Sequence, residues 1–305
     1  MRYLVRRLVL MVPVLFGVTI VTFSILRLVP GDPAQVLAGE EATQEQVAYV
    51  RHEYGLDRPI AVQYLLFLKH LAAGDLGISY RNRAPVVELL QERFLFTLQL
   101  SLISITLATV VGVVVGVFAA TRSGSALDTF SMLTALIGIS SPVFWIGIIF
   151  ILVFSVELRL LPSGGTGSVA HLILPSIALG AGAAAIMARL TRGVMIEVLT
   201  QDYVRTARSL GLRERRVVFS HALRNALLPV VTIFGLQFGN MLSGAVLTES
   251  VFGLPGLGRL IVDSIFARDY PVVQGGILLI ALSFVLVNLA VDLVYSVLDP
   301  RIRRA

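Results

Sequence analysis

The sequence contains no cysteine, which excludes disulfides, thiolate-held metals and a cysteine nucleophile. It contains one lysine, Lys69, in Leu68-Lys69-His70. A phosphate loop of the Gly-Lys-Ser/Thr kind needs a lysine to reach the phosphates, so the chain has no such loop. The four histidines, His52, His70, His171 and His221, show no ligand spacing such as HExxH, and no metal site is expected. Charge is also scarce. Asp, Glu, Lys and Arg make up 14% of residues, against about a quarter in a soluble domain.

Apolar sequence fills that space: 56% of the 305 residues are hydrophobic and the mean hydropathy is +0.85. One soluble core cannot bury so much, whereas lipid can. A spanning helix needs about 20 apolar residues, and six runs qualify: Leu8–Leu26, Leu95–Ala120, Thr129–Val156, Leu172–Ala188, Ala226–Leu247 and Val272–Val291. None carries Lys, Arg, Asp or Glu. The first exceeds a signal-peptide core and lacks a small-residue cleavage site, so it reads as a retained anchor. An all-α, six-span membrane protein follows.

The net charge of +6 belongs to this picture rather than to nucleic acid. With the N-terminus inside, most arginines fall on cytoplasmic segments, including Arg2, Arg6, Arg7, Arg122, Arg189, Arg192 and the run from Arg205 to Arg224. Most acids fall outside. The positive-inside rule then puts both termini in the cytoplasm.

Three connections exceed a turn. Val29–Phe94 is external. In it Thr43-x-x-Gln46 is a capping box, Gly55 a stop, and Pro59 the opener of a helix Ile60–Ala73 that Gly74-Asp75-Leu76-Gly77 ends. Val86–Arg93 reads as a further short helix, giving a small helical cap. Arg189–Asn225 is cytoplasmic and charge-rich. Glu249–Pro271 is external, with a forced turn at Gly253-Leu254-Pro255-Gly256-Leu257-Gly258.

Gly180-Ala181-Gly182-Ala183-Ala184-Ala185 matches a loose dinucleotide pattern, but no strand precedes it; small residues there suit close helix packing. Gly112-x-x-x-Gly116 and Gly235-x-x-x-Gly239 read the same way. Polar groups inside the runs are Ser140, Ser141 and Trp145 around Pro142, Gln237 and Asn240, and Asn288 with Asp292. They either bond helices together or line a path. No paired charge lies at mid-membrane, which counts against a self-contained ion-coupled carrier.

The loop Asp202-Tyr203-Val204-Arg205-Thr206-Ala207-Arg208-Ser209-Leu210-Gly211 reads as a short helix stopped at Gly211, followed by a second up to Pro229. Asp202 is placed to cap the first. Val204, Ala207 and Leu210 form its apolar face, and Arg205 and Arg208 point elsewhere. Such a helix suits docking into a partner's groove.

This loop resembles the EAA motif of binding-protein-dependent ABC permeases. Arg205-Thr206-Ala207 stands at the Glu-Ala-Ala place, followed by Gly211 and Leu228-Pro229. Only Ala207 of the three matches, and the interval to Leu228-Pro229 is long; both departures are similar to the dipeptide, oligopeptide, nickel and glutathione permease group. So are His221-Ala222-Leu223-Arg224-Asn225, Pro30-Gly31-Asp32-Pro33, Tyr54-Gly55-Leu56-Asp57, Asn288-Leu289-x-Val291-Asp292 and Leu298-Asp299-Pro300-Arg301. Phe154–Leu158, Arg189 and Arg268–Val272 resemble the glutathione branch.

The resemblance implies a type I ABC importer transmembrane domain in the bacterial inner membrane, importing short peptides, glutathione, nickel or another small solute. It implies a second, similar permease, two ATP-binding subunits that hold ATP and Mg, and an extracytoplasmic solute-binding protein, with no cofactor on this chain. The segments expected are a first span (1–29), an external cap (30–94), a core (95–298) with the coupling loop (189–225), and a tail (299–305). Asp202–Arg208, Gly211, His221, Arg224, Asn225 and Pro229 would serve ATPase coupling. Ser141, Trp145, Gln237, Asn240, Asn288 and Asp292 would line the path. Asp32, Asp75, Glu249 and Asp269 would meet the binding protein.

Overall fold

The structure, a computed structural model, describes residues 2–28, 32–39, 42–53 and 55–298. Pro30-Gly31, Tyr54 and the tail 299–305 lie outside the described residues, as does the side chain of Asp292. The elements are all helical: α1 (Arg2–Leu28), α2 (Pro33–Ala38), α3 (Gln44–Glu53), α4 (Ile60–Ala72), α5 (Val86–Thr121), α6 (Ala126–Ser140), α7 (Val143–Phe150), α8 (Ala170–Leu199), α9 (Asp202–Ser209), α10 (Glu214–Arg216), α11 (Leu223–Val251), α12 (Leu257–Phe266) and α13 (Tyr270–Leu298). π-helical turns at Ile151–Glu157 and Val217–Ala222 extend α7 and join α10 to α11. The one strand-like contact among the described residues is a bridge between Ile78 and Pro85.

Among the described residues, four helices are long and apolar enough to cross a membrane: α5, α8, the continuous Glu214–Val251, and Tyr270–Val291 of α13. The third run departs from expectation. It is two helices bent by 106°, a fifth span only if the pair counts as one. The cause is Pro142, which forces the residue before it out of the helical region; Ser141 sits at φ −84, ψ 131. Three boundaries also change. Val86–Arg93 is the first part of α5, not a separate helix. The fourth run continues past Arg189 to Leu199. The third connection contains the helix α12 rather than loop alone.

The chain divides into two compact units. The first comprises 1–95 and Leu257–Leu282, so the third connection from Leu257 onward groups with the N-terminal region, while its start, 249–256, stays with the second unit. Packing explains this: Val86 and Leu90 of α5 bury against Leu257 and Ile261 of α12 and Val272 of α13. Gly276 lets α13 approach α12, because a Cβ there would lie 2.5 Å from Ile261. In the cap, the Thr43–Gln46 capping box forms, with Thr43 N donating to Gln46 Oε1 at 2.9 Å. Gly55 (φ 63) and Gly74 (φ 76) close α3 and α4. Tyr64 of α4 packs edge-on against Phe16 and Phe23 of α1 and bonds Thr19 at 2.7 Å.

The second unit, 96–256 with Ser283 onward, is built on α8. This helix packs against α6, α7 and α11, and with α5 through Leu100, Ile105, Ala108, Ala178, Ala183 and Met187. The small residues act as expected of helices in lipid. A Cβ on Gly112 would lie 2.6 Å from Met187 Cβ, one on Gly116 2.7 Å from Ala188 O, and one on Gly180 2.8 Å from Ser104 O. Gly235 and Gly239 likewise receive Val291 and Phe284 of α13. These contacts are all within the chain.

Candidate coupling surface and transport path

Helix α9 leaves α8 through only Thr200 and Gln201. Gln201, not Asp202, is its N-cap, without a side-chain bond. Asp202 is instead the first helical residue, where a carboxylate suits the positive end of the helix dipole. The apolar foot of α9 is Val204 and Ala207, buried with Val217 and flanked by Val198, Leu199 and Leu212. Leu210 was expected in this foot, but it is 75% exposed. The chain reverses at Gly211 (φ 76), which carries Leu212 back to the foot and leaves Leu210 outside.

Two polar ties fix α9. Arg208 donates to Glu214 from Nη2 at 2.7 Å and from Nε at 3.2 Å. Asn225 donates to the Tyr203 hydroxyl at 2.7 Å. Arg208 is thus engaged inside the loop. Arg205 stays exposed, with only a 3.8 Å approach to Asp202, a weak surface pair. Arg224 and Asn225 are exposed at the start of α11, His221 is half-buried in the π-turn, and Pro229 lies inside α11. The product is a short helix whose outer face shows Tyr203, Arg205 and Leu210, held from beneath by Val217, Glu214 and Asn225 as well as by the end of α8.

The path candidates form separate groups. Ser141 and Trp145 line an open cavity of about 360 Å³ at the α6–α7 bend, with Ile137, Ser140, Pro142 and Phe144. Gln237 and Asn240 lie on α11, where Asn240 Nδ2 donates to Gln237 Oε1 at 3.4 Å. The exposed side of α11 continues through Ser243 and Gly244. Asn288 is half-buried on α13, between Phe284 and Val291, the residues that pack on α11.

The four acids expected to meet the binding protein divide. Asp32 caps α2, accepting from Ala34 N at 3.0 Å, and pairs with Arg51. Asp75 accepts from Gly77 N at 2.9 Å and faces His70 Nδ1 at 3.1 Å. The Gly77 amide, and after it the His70 bond, hold its carboxyl below the ordinary aspartate value. Both acids are partly exposed. Glu249 and Asp269 are not: each is buried, so neither presents a surface to a docking protein, contrary to expectation. Glu249 accepts from Thr97 Oγ1 at 2.5 Å, beneath the backbone of Gly256. Asp269 accepts from Ser79 Oγ at 2.5 Å and from Tyr80 N at 3.0 Å.

Sequence reasoning also missed an ion pair. Arg192 of α8 donates to Asp128 of α6 from Nε at 2.5 Å and from Nη2 at 2.7 Å. Ser125-x-x-Asp128, a cap signature ahead of an apolar run, marked Asp128 as more than the flank of a span.

Comparison with solved structures gives the class. The inward-facing MetNI methionine ABC transporter aligns with a TM-score of 0.61 at 21% identity, covering 70% of this chain and 97% of that one. The fold is therefore that of a type I ABC importer transmembrane domain. Residues 112–304 match the family of binding-protein-dependent transport system inner membrane components, and residues 1–101 match the N-terminal region model of such membrane components. The chain belongs to that family. It is 45% identical to the dipeptide transport system permease protein DppB of Alkalihalophilus pseudofirmus and 46% identical to the glutathione transport system permease protein GsiC of Escherichia coli, over 99% of each chain. It is 44% identical to Escherichia coli DppB, again over 99% of both. The protein is thus a multi-pass inner-membrane permease subunit, not itself an ATPase, working with ATPase and solute-binding partners.

Proposed function

We propose that this chain forms half of a peptide-import pathway and that the exposed face of α9 is where an ATP-hydrolysing subunit docks. The carrying observation is α9 itself: an apolar foot, two polar ties, and an outer face of Tyr203, Arg205 and Leu210 at the end of the unbroken helix α8. ATP and Mg bind the partner subunits, and this chain holds no cofactor. The functional complex pairs two permeases with two ATPases and receives solute from an extracytoplasmic binding protein, which Asp32 and Asp75 help to seat. Counting α1 and the bent pair as spans gives six, with both termini cytoplasmic. The substrates are dipeptides, oligopeptides or glutathione, as the names of the relatives support; nickel or another small solute is the alternative.

The cycle is alternating access. ATP closes the ATPase pair, α9 moves with its docked subunit, and the spans reorient so that Ser141, Trp145, Gln237, Asn240, Asn288 and Asp292 line the opened path. A pore subunit without its own energy source requires such differential contact in the two states. The test is Gly211→Leu in the reconstituted complex, where the left-handed backbone disfavours a side chain. ATP hydrolysis is expected to persist while glutathione and dialanine uptake fall. Normal uptake at normal assembly refutes the docking role of α9.

A further inference from the structure

We infer that the Asp128–Arg192 ion pair is the joint through which movement of α9 reaches the bent helix pair α6–α7, so that Asp128 and Arg192 are positioning residues for the transport cycle. The inference rests on the docking reading of α9.

The geometry leaves this pair little freedom. Asp128 is 3% exposed in the first turn of α6. Its Oδ1 accepts from Arg192 Nε at 2.5 Å, and its Oδ2 accepts from Arg192 Nη2 at 2.7 Å and from Gly124 N at 2.9 Å. Its own amide donates to Ser125 Oγ at 3.3 Å. The contact is a two-pronged fork, which fixes direction as well as distance. Arg192 is held on its other side by α5, because Gly116 sits against the backbone of Ala188 and Arg192.

The pair also lies between α9 and the α6–α7 bend. Arg192 is about two turns before the end of α8, and Thr200 and Gln201 alone separate that end from α9. Asp128 opens α6, which runs without a break to Ser140 and there bends at Ser141-Pro142 into α7, beside the cavity of Ser141 and Trp145. A displacement of α9 thus passes along one rigid helix, across one directional contact, and down a second helix to the bend. Apolar packing of α6 and α7 on α8 is non-directional, whereas the fork fixes an orientation. With Asp128 buried and Arg192 half-buried, the pair adds little net stability over apolar residues of the same size, so its distinct contribution is orientation.

The test uses the complete complex of permease pair, ATPases and binding protein in lipid nanodiscs. The absence of cysteine allows two nitroxide labels, at Leu133→Cys on α6 and Leu247→Cys on α11, both on exposed sites. Pulsed electron spin resonance measures their separation with and without ATP plus vanadate, and ATP hydrolysis is followed in parallel. The separation is expected to change on nucleotide trapping in the otherwise unaltered complex. With Asp128→Asn the fraction of complexes that make the change is expected to fall at least about twofold, the lower end of the effect seen for residues on a coupling route, while hydrolysis continues. Arg192→Lys, which keeps the charge but loses the fork, gives an intermediate result and serves if Asp128→Asn does not assemble. The exchange Asp128→Arg with Arg192→Asp restores the change. An unaltered change in both single variants overturns the joint, as does no change in the complex without them. Arg205→Glu separates the two readings. If it releases the ATPase while Asp128→Asn leaves the separation change intact, only the joint fails. If it leaves the ATPase bound and the change intact, the docking role of α9 fails.

Discussion

Ser79 donates a hydrogen bond to Asp269 at 2.5 Å across 190 positions of sequence, and the Tyr80 and Arg81 amides donate to the same carboxylate at 3.0 and 3.4 Å. One buried acid therefore clamps the loop Tyr80–Arg83, whose Arg81, Asn82 and Arg83 are exposed, to the start of α13. Arg83 at φ 55 and Arg268 at φ 54 adopt left-handed backbone on either side of the clamp. Asp269→Ala leaves these donors without an acceptor. The expected cost is about 3 kcal/mol, in the range for bonds to a buried charge. Hydrogen exchange checks this: the amides of Tyr80 and Arg81 should lose protection before those of α5.

Helix packing gives a second, paired prediction. Gly116→Ala drives a methyl to 2.6 Å from Thr191 Cβ and 2.7 Å from Ala188 O, so α5 and α8 must separate. A loss of about 1–3 kcal/mol is expected from such overpacking. Gly193→Ala, on the same α8, meets nothing within 4 Å. That substitution removes a helix-interior glycine and is expected to gain about 0.5–1 kcal/mol. Thermal unfolding of the purified complex in detergent should move in opposite directions for the two.

The two sides of α9 should respond differently. Val204→Ser places a hydroxyl in the foot shared with Val217 and Ala207, and is expected to loosen α9 and lower thermal stability. Leu210→Ser changes only an exposed side chain. It should leave stability within about 0.5 kcal/mol while weakening ATPase binding, measured by co-purification. Equal effects on stability would contradict the assignment of faces.

The turn at Asp75 should soften in acid. Its carboxyl is held below the ordinary aspartate value by the Gly77 amide first and His70 second. A depressed native pKa means the charged form stabilises the turn at any pH above the unfolded value, about 3.9. That contribution is lost as pH falls through the still lower native value. Exchange of the Gly77 amide, corrected for intrinsic rate, should therefore quicken below about pH 4 and not between pH 5 and 8.

Much of this was legible because local chemistry decides it. Apolar runs located α5, α8, α11 and α13, and Thr43-x-x-Gln46, Gly55, Pro59 and Gly74 marked the ends of α3 and α4 correctly. Pro142 stands in the middle of its run, but the length and apolarity of that run do not reveal the bend of 106° at it. What escaped depends on distant partners. Nothing near Glu249 or Asp269 in the sequence says that Thr97 and Ser79 will cover them, so both read as exposed acids. Leu210 satisfied the helical spacing of the α9 foot, but a left-handed Gly211 delivered Leu212 there instead. Asp128 and Arg192 stood 64 positions apart as flanking charges, and only the packing of α6 on α8 joins them.

The central claim is that the outer face of α9 meets the ATPase, and proximity tests it most directly. The chain lacks cysteine, so Arg205→Cys supplies the only thiol it brings to the assembled complex. A short thiol-to-amine cross-linker added to that complex is expected to join this chain to an ATP-binding subunit. Arg81→Cys, which the proposed orientation puts across the membrane from α9, should give no such product. An Arg205→Cys complex that assembles and hydrolyses ATP but yields no adduct with the ATPase would contradict the account.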